Sequence, residues 1–477
     1  MQELFFRGGG GRHSLNFIIL GFLGFALLGG VFLCVEPDAA SAAGTPCSIT
    51  PVLTEADLNA CIAEAPTDNS EFTITIGASF NLTVVKTIAV GKNITLGSNV
   101  AGGATLSLQT GNTARHFIVN GTLTLEDGVT LQGYGDGVTI GGGVLVASGG
   151  TFIMNGGVIS GNTSSVAGGV AVAGTFIMNN GEISGNTATN YGGGISMSGA
   201  TATFTMNGGK ISGNTTRSGG GMLVGGSSTF NMFGGEISGN TANNGGGAYI
   251  DGGAKFNISG GAKIVDNTAA SHGGGLWIIS MGVVTMTGGQ ISGNTANKGG
   301  GVWVTSSSSD DGEFVMTGGQ ISGNTAAELG GGVFLNGGAV TLGGSAQIGV
   351  GLGVGNGIYL NTDMVAGVLS GFAGLVNIEG AEDAYLGRPV AEGASGYTIQ
   401  TSDIARFRWL PANFALEFNN DTSQIILGLV PEAPSTGQNN SGGPGAVQIA
   451  SGVVASLVLV SSIVLVKRRL RIGRGRI

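Results

Sequence analysis

One phrase recurs through the middle of the chain and leaves it few architectures. It reads T-F-x-M-x-G-G-x-I-S-G-N-T-A, then a short polar turn, then G-G-G and an apolar-x-apolar triplet. Its Asn falls at Asn162, Asn186, Asn214, Asn240, Asn267, Asn294 and Asn324, in steps of 24, 28, 26, 27, 27 and 30 residues. A period of this size belongs to a solenoid, a propeller or a similar array. The phrase contains three short alternating runs separated by Gly, too short and too rich in Gly to be helical. Three strands per turn, stacked turn on turn, predict an all-β chain wound as a parallel β-helix.

The phase of each run follows from its alternation. In the first, Phe152 and Met154, Phe176 and Met178, Phe204 and Met206, Phe230 and Met232, and Phe314 and Met316 lie two apart. The residue between them varies and is often polar (Thr205, Asn231, Asn257), so Phe and Met point inward and the middle residue outward. The second run supplies Ile159, Ile183, Ile211, Ile237, Ile264, Ile291 and Ile321. The third supplies pairs such as Leu276 with Ile278 and Val302 with Val304. One coil cannot bury these residues, but stacking at ~4.8 Å gives each a like neighbour above and below. The repeated Asn reads as a buried side-chain ladder that satisfies the backbone of a corner.

The N-terminus reads as an export signal. Arg7, Arg12 and His13 precede an apolar run from Phe17 to Val35, and Ala40-Ser41-Ala42 offers cleavage after Ala42. An uncleaved anchor is the alternative for residues 1–42. Outside this segment only Cys47 and Cys61 remain, which predicts one disulfide in an oxidising compartment. Between them Thr54 and Asp57 open a short helix that Pro66 ends. Residues 43–71 are therefore the expected cap over the open N-terminal end of the rod.

Degenerate coils begin at 72, and the solenoid is expected over 72–375 as about eleven coils, a rod on the order of 50 Å. Residues 376–430 bring Pro, Glu, Arg and aromatics and read as a C-terminal β cap. Residues 431–445 (PEAPSTGQNNSGGPG) form a linker. Residues 446–466 form a 21-residue apolar segment without a charge, long enough to span a bilayer. Lys467, Arg468, Arg469, Arg471, Arg474 and Arg476 follow, so 467–477 are expected in the cytosol and the rod outside. The remaining 11 basic and 25 acidic residues leave the outer part near −14, which disfavours nucleic acid and anionic polymers as partners.

The steps Gly274-Gly275-Leu276 and Ile291-Ser292-Gly293-Asn294 are similar to the Gly-Gly-Ala-apolar and Phe-x-x-Asn repeats of the polymorphic outer membrane proteins. Those are surface adhesins with a pectin-lyase-like right-handed β-helix. The resemblance covers about 140–360 and implies a right-handed coil and a surface role; Ile stands here where that family has Phe. It does not extend to the C-terminus, where that family has a membrane barrel. The end of this chain instead resembles a Gram-positive cell-wall sorting signal: Pro434, Ser435, Thr436 and Gly437, then the apolar segment and the basic tail. That likeness implies sortase cleavage between Thr436 and Gly437 and attachment to peptidoglycan, although Ala433 replaces the usual Leu. Retention by the membrane span is the alternative.

Chemistry-bearing residues are sparse. Glu182, Glu236, Asp251, Asp266 and Glu328 are scattered, and His116 and His272 stand alone, so neither the paired carboxylates of a glycosidase nor a nucleophile constellation is apparent. His272 reads as a solvated turn residue. The longest insertion carries Asp310, Asp311 and Glu313, a weak candidate for Ca²⁺. No cofactor is expected. The middle, outward residue of the third run is aromatic in five consecutive coils: Tyr249, Trp277, Trp303, Phe334 and Tyr359. This row predicts a stripe of about 19 Å, either a contact surface for a glycan or matrix component or a set of rings that stack on one another. The expected function is that of a surface-anchored adhesin or carbohydrate- or matrix-binding protein at the cell surface. The alternatives are a polysaccharide lyase or glycoside hydrolase of the same fold, and a passive stalk.

Overall fold

The computed structural model describes residues 44–109, 115–133, 142–307, 310–349, 356–381, 384, 388–410 and 414–430. The expected signal 1–42 and linker 431–445, the apolar segment 446–466 and the basic tail 467–477 lie outside these residues. So do the cleavage positions Ala42, Pro434, Thr436 and Gly437. Among the described residues no helix is long and apolar enough to cross a membrane.

The chain winds into a parallel β-solenoid of the right-handed type with about 13 turns, more than the expected eleven because parallel pairing continues past 375. Each regular coil contains four strands rather than the expected three. The fourth is the Thr-Ala stretch after the repeat Asn, which forms its own seven-stranded parallel sheet from Thr163–Val166 to Thr325–Leu329. Its inward residue is most often a buried Ala, as at Ala188, Ala242, Ala269 and Ala296. A methyl group is too small to stand out as the apolar beat of a strand, so the sequence reads as a polar turn.

Strict register stacks like on like. Phe152, Phe176, Phe204, Phe230 and Phe256 pair in order, and their rings stack at centroid spacings of 5.2, 4.5, 4.6 and 4.4 Å. The Met, Ile and third-run aliphatic columns are likewise fully buried. At the corner the Asn ladder forms: each Nδ2 from Asn162 to Asn294 donates to the Oδ1 of the next Asn at 2.9–3.0 Å. The same Nδ2 of Asn186 also reaches back to the Ile159 carbonyl at 2.9 Å, a pattern that continues through Asn324 and Ile291. The ladder thus satisfies a corner that the strands leave unpaired. At the next corner Gly273 has φ +62°, and an added Cβ would strike the Leu276 carbonyl.

In the degenerate N-terminal coils the ladder has no Asn, and His116 takes over its work. It is fully buried, with Nε2 3.0 Å from the Leu106 carbonyl and 3.1 Å from that of Gln132. Both contacts require a proton on Nε2, and burial, which lowers the pKa to about 4, keeps the ring neutral.

The helix Glu55–Glu64 closes the N-terminal end, with a capping box between Thr54 and Asp57 and a Cys47–Cys61 disulfide. Lys92 Nζ donates to the carbonyls of Ile62, Ala63 and Ala65 at the helix C-terminus, where a cation is favoured. Glu55 ties the helix to the first coils through Lys86 and Thr83. Burial works against ionisation of Glu55, but the hydrogen bonds from Lys86 and Thr83 prevail and hold its pKa at about 2. At the other end parallel pairing runs past 375, to Val376 with Phe407. There an antiparallel pair, Ala415–Asn419 with Gln424–Gly428, closes the rod.

Candidate functional site

Tyr249, Trp277, Trp303, Phe334 and Tyr359 do stand in one register column. They face outward, because their neighbours Leu276, Ile278, Val302 and Val304 are buried inside. The column is not the open strip the alternation suggests. Tyr249, Trp303 and Phe334 are only 8, 7 and 3% exposed, while Trp277 and Tyr359 are half-buried. The rings cover one another: Tyr249 stacks on Trp277 at 4.6 Å, Trp303 meets Phe334 edge-on at 5.3 Å, and Phe334 lies 5.5 Å from Tyr359.

Side chains from the ends of the fourth sheet complete the cover. His272 stands edge-on to Trp303 at 3.5 Å and lies 6.1 Å from Trp277. Lys298 Nζ sits 5.9 Å above the Phe334 ring, and Tyr191 lies 6.4 Å from Tyr249. His272 is therefore a packed residue, not a solvated one. Nδ1 of His272 is 2.9 Å from Asn244 Oδ1. Burial, and then repulsion by Lys298, hold its pKa down at about 4 against the pull of Glu328, so the ring is neutral at ordinary pH. Tyr249 donates to Asp251 at 2.9 Å, and burial followed by that carboxylate raises its pKa. The indole Nε1 atoms of Trp277 and Trp303 are buried with no hydrogen-bond partner.

The remaining candidates are dispersed. Asp310 and Asp311 lie in a short strand antiparallel to Ser306 and Ser307, whereas Glu313 opens the parallel strand Glu313–Ser322. Among the described residues no group of three or more His, Cys, Asp or Glu could hold a metal ion.

The register also assembles residues that looked scattered. Glu182, Lys210, Glu236 and Lys263 form one outward column of alternating sign, with Lys210 and Glu236 paired at 3.2 Å. The signal was present in the repeat phrase, since each stands immediately before the inward residue Ile183, Ile211, Ile237 or Ile264. This column forms one wall of a groove of about 640 Å³ that crosses several coils from Gly102 to Glu236. No protein-family model matches the chain, and neither a curated protein nor a solved structure is significantly similar to it.

Proposed function

We propose that this protein is an extracellular, surface-anchored binding rod, an adhesin-type β-helix that engages a glycan or a matrix or host surface component. The export signal 1–42 and the span 446–466 with its basic tail support the topology. Anchoring is then through the membrane helix, or through peptidoglycan after a sortase cuts at Thr436-Gly437. The repeat pattern supports the finer reading of a right-handed, pectin-lyase-like coil.

The observation that carries the binding role is the meeting of Trp277, Trp303 and His272 on the outer face. Each buried indole N–H without an acceptor costs about 1–3 kcal/mol, an expense more typical of a site than of a purely structural stack. Flat rings beside the polar side chains His272, Lys298 and Asp251 suit the apolar faces and hydroxyls of sugar rings or an aromatic-rich partner. A glycan and matrix-protein screen of the full-length chain, repeated with Trp277→Ala, tests this. Binders captured by the parent and lost with the variant support the face as the site. Equal capture by both removes it.

Glu182 and Glu236, two coils or about 10 Å apart, give the hydrolase reading its one foothold. Against it, the Ser238 hydroxyl and then Lys210 lower the pKa of Glu236, whereas a general acid needs a raised one.

A further inference from the structure

The groove beside the charged column lies on a different face from the aromatic row and has a construction of its own. Its floor is glycine. Gly103, Gly128, Gly157, Gly181 and Gly209 turn the chain at φ between +74° and +93°, and a Cβ on Gly181 would strike the Gly156 carbonyl. The missing Cβ at these turns makes room for the adjacent coil, and the lining along four coil steps, about 19 Å, is largely backbone.

Just outside one rim, in the column one residue before Asp127 and Asn180, runs a second, exposed amide ladder. Asn155 donates to Glu126, Asn179 to Asn155 and Asn207 to Asn179, each at 2.8 Å. An amide in such a ladder uses one N–H and one lone pair, which leaves a second of each for an outside partner. The next residue in this column breaks the pattern. Phe233 follows Asn207, its N–H bonding to Met206 just as that of Asn207 bonds to Met178. Its ring is 52% exposed and stands at the end of the ladder. The opposite wall carries Glu182, Lys210 and Glu236. Lys210 is already paired with Glu236 at 3.2 Å, and Glu182 accepts from Ser212 at 2.8 Å. With Asp127 also lining the groove, its fixed charge is negative.

We propose that this groove binds an extended, uncharged oligosaccharide. The free amide groups and carboxylates meet its hydroxyls, Phe233 stacks on one pyranose face, and the negative wall excludes uronate chains. A largely backbone lining with hydrogen-bonding edges fits a polymer lying along the rod. The site is independent of Trp277 and its neighbours, so either binding face stands if the other fails.

The test is titration of the full-length chain with cellohexaose, mannohexaose, the hexamer of N-acetylglucosamine and, as the anionic control, hexagalacturonate. At least one neutral hexamer should bind, with hexagalacturonate at least tenfold weaker. Phe233→Ala should weaken that binding about tenfold, and Asn180→Trp, which fills the groove from its rim, should abolish it. Val90→Ala, at an exposed residue outside both faces, should leave it unchanged. Unfolding midpoints of the groove variants should match the parent, because Phe233 and Asn180 are both exposed. The proposal is overturned if no neutral hexamer binds, if hexagalacturonate binds best, or if both groove variants bind as the parent does.

Discussion

Two aromatic columns climb the same rod at the same spacing, one inside and one outside, and they behave differently. The inner Phe rings from Phe152 to Phe256 are nearly parallel, with interplanar angles of 5–25°. The outer rings from Tyr249 to Tyr359 range from stacked to perpendicular, at 22° and 88° for neighbouring contacts. Inside, walls on every side force one rotamer on every coil. Outside, only the neighbouring coil and the fourth-sheet side chains constrain a ring, so residue type and tilt drift along the rod. Order in a column reports confinement, and drift reports freedom to serve something other than packing.

The largest expected effect lies inside. Met206→Asp puts an unpaired charge into a dry column and should destabilise by about 5 kcal/mol or more. Thr205→Asp, one residue away and outward, should cost under about 1 kcal/mol. Urea midpoints of the two variants make the comparison, and equal midpoints would reverse the assigned phase. Next is the corner. Asn240→Ala strips the Asn214 N–H and Nδ2 of their shared acceptor and leaves the Ile211 carbonyl short of a donor, while Asn267 Oδ1 keeps only the backbone N–H of residue 240. Several buried groups are unpaired at once, so a loss of about 4 kcal/mol is expected from the same measurement.

The N-terminal coils add a pH dependence the Asn ladder cannot have. Burial lowers the His116 pKa from 6.5 to about 4. The unfolded chain therefore takes up the proton first: stability is complete above pH 6.5 and declines as pH falls toward about 4, by about 3 kcal/mol from this group. His116→Asn keeps an amide donor but cannot titrate. Its urea midpoint should fall less between pH 7 and pH 4.5 than that of the parent. An identical fall in both proteins would refute this assignment.

The smallest effects belong to the outer column. Trp303→Ala should cost about 2–3 kcal/mol, because the ring is nearly buried, and Trp277→Ala about half that. Thermal unfolding of the pair checks the order. Reading outward as exposed would have predicted almost no loss from either.

How much was legible follows from the same contrast. Period, inward phase and the Asn ladder could be read because each is enforced once per coil by burial, and the helical cap because Thr54 and Asp57 lie at the capping spacing. The fourth strand escaped because its inward residue is Ala. The cover over Trp303 escaped because His272 and Lys298 reach it from another sheet, and no alternation within one run reveals such a contact. Glu182, Lys210 and Glu236 were visible as repeat positions, but they gain meaning only once stacked beside the glycine floor.

The binding role of the outer column is tested most directly by two numbers on one variant. For Trp277→Ala in the full-length chain, the dissociation constant for a glycan or matrix protein captured by the parent is set beside the thermal unfolding midpoint. The account predicts at least a tenfold loss of affinity with a midpoint lowered by only a few degrees. Unchanged affinity with a lowered midpoint would show that the outer rings, like the inner ones, only hold the rod together.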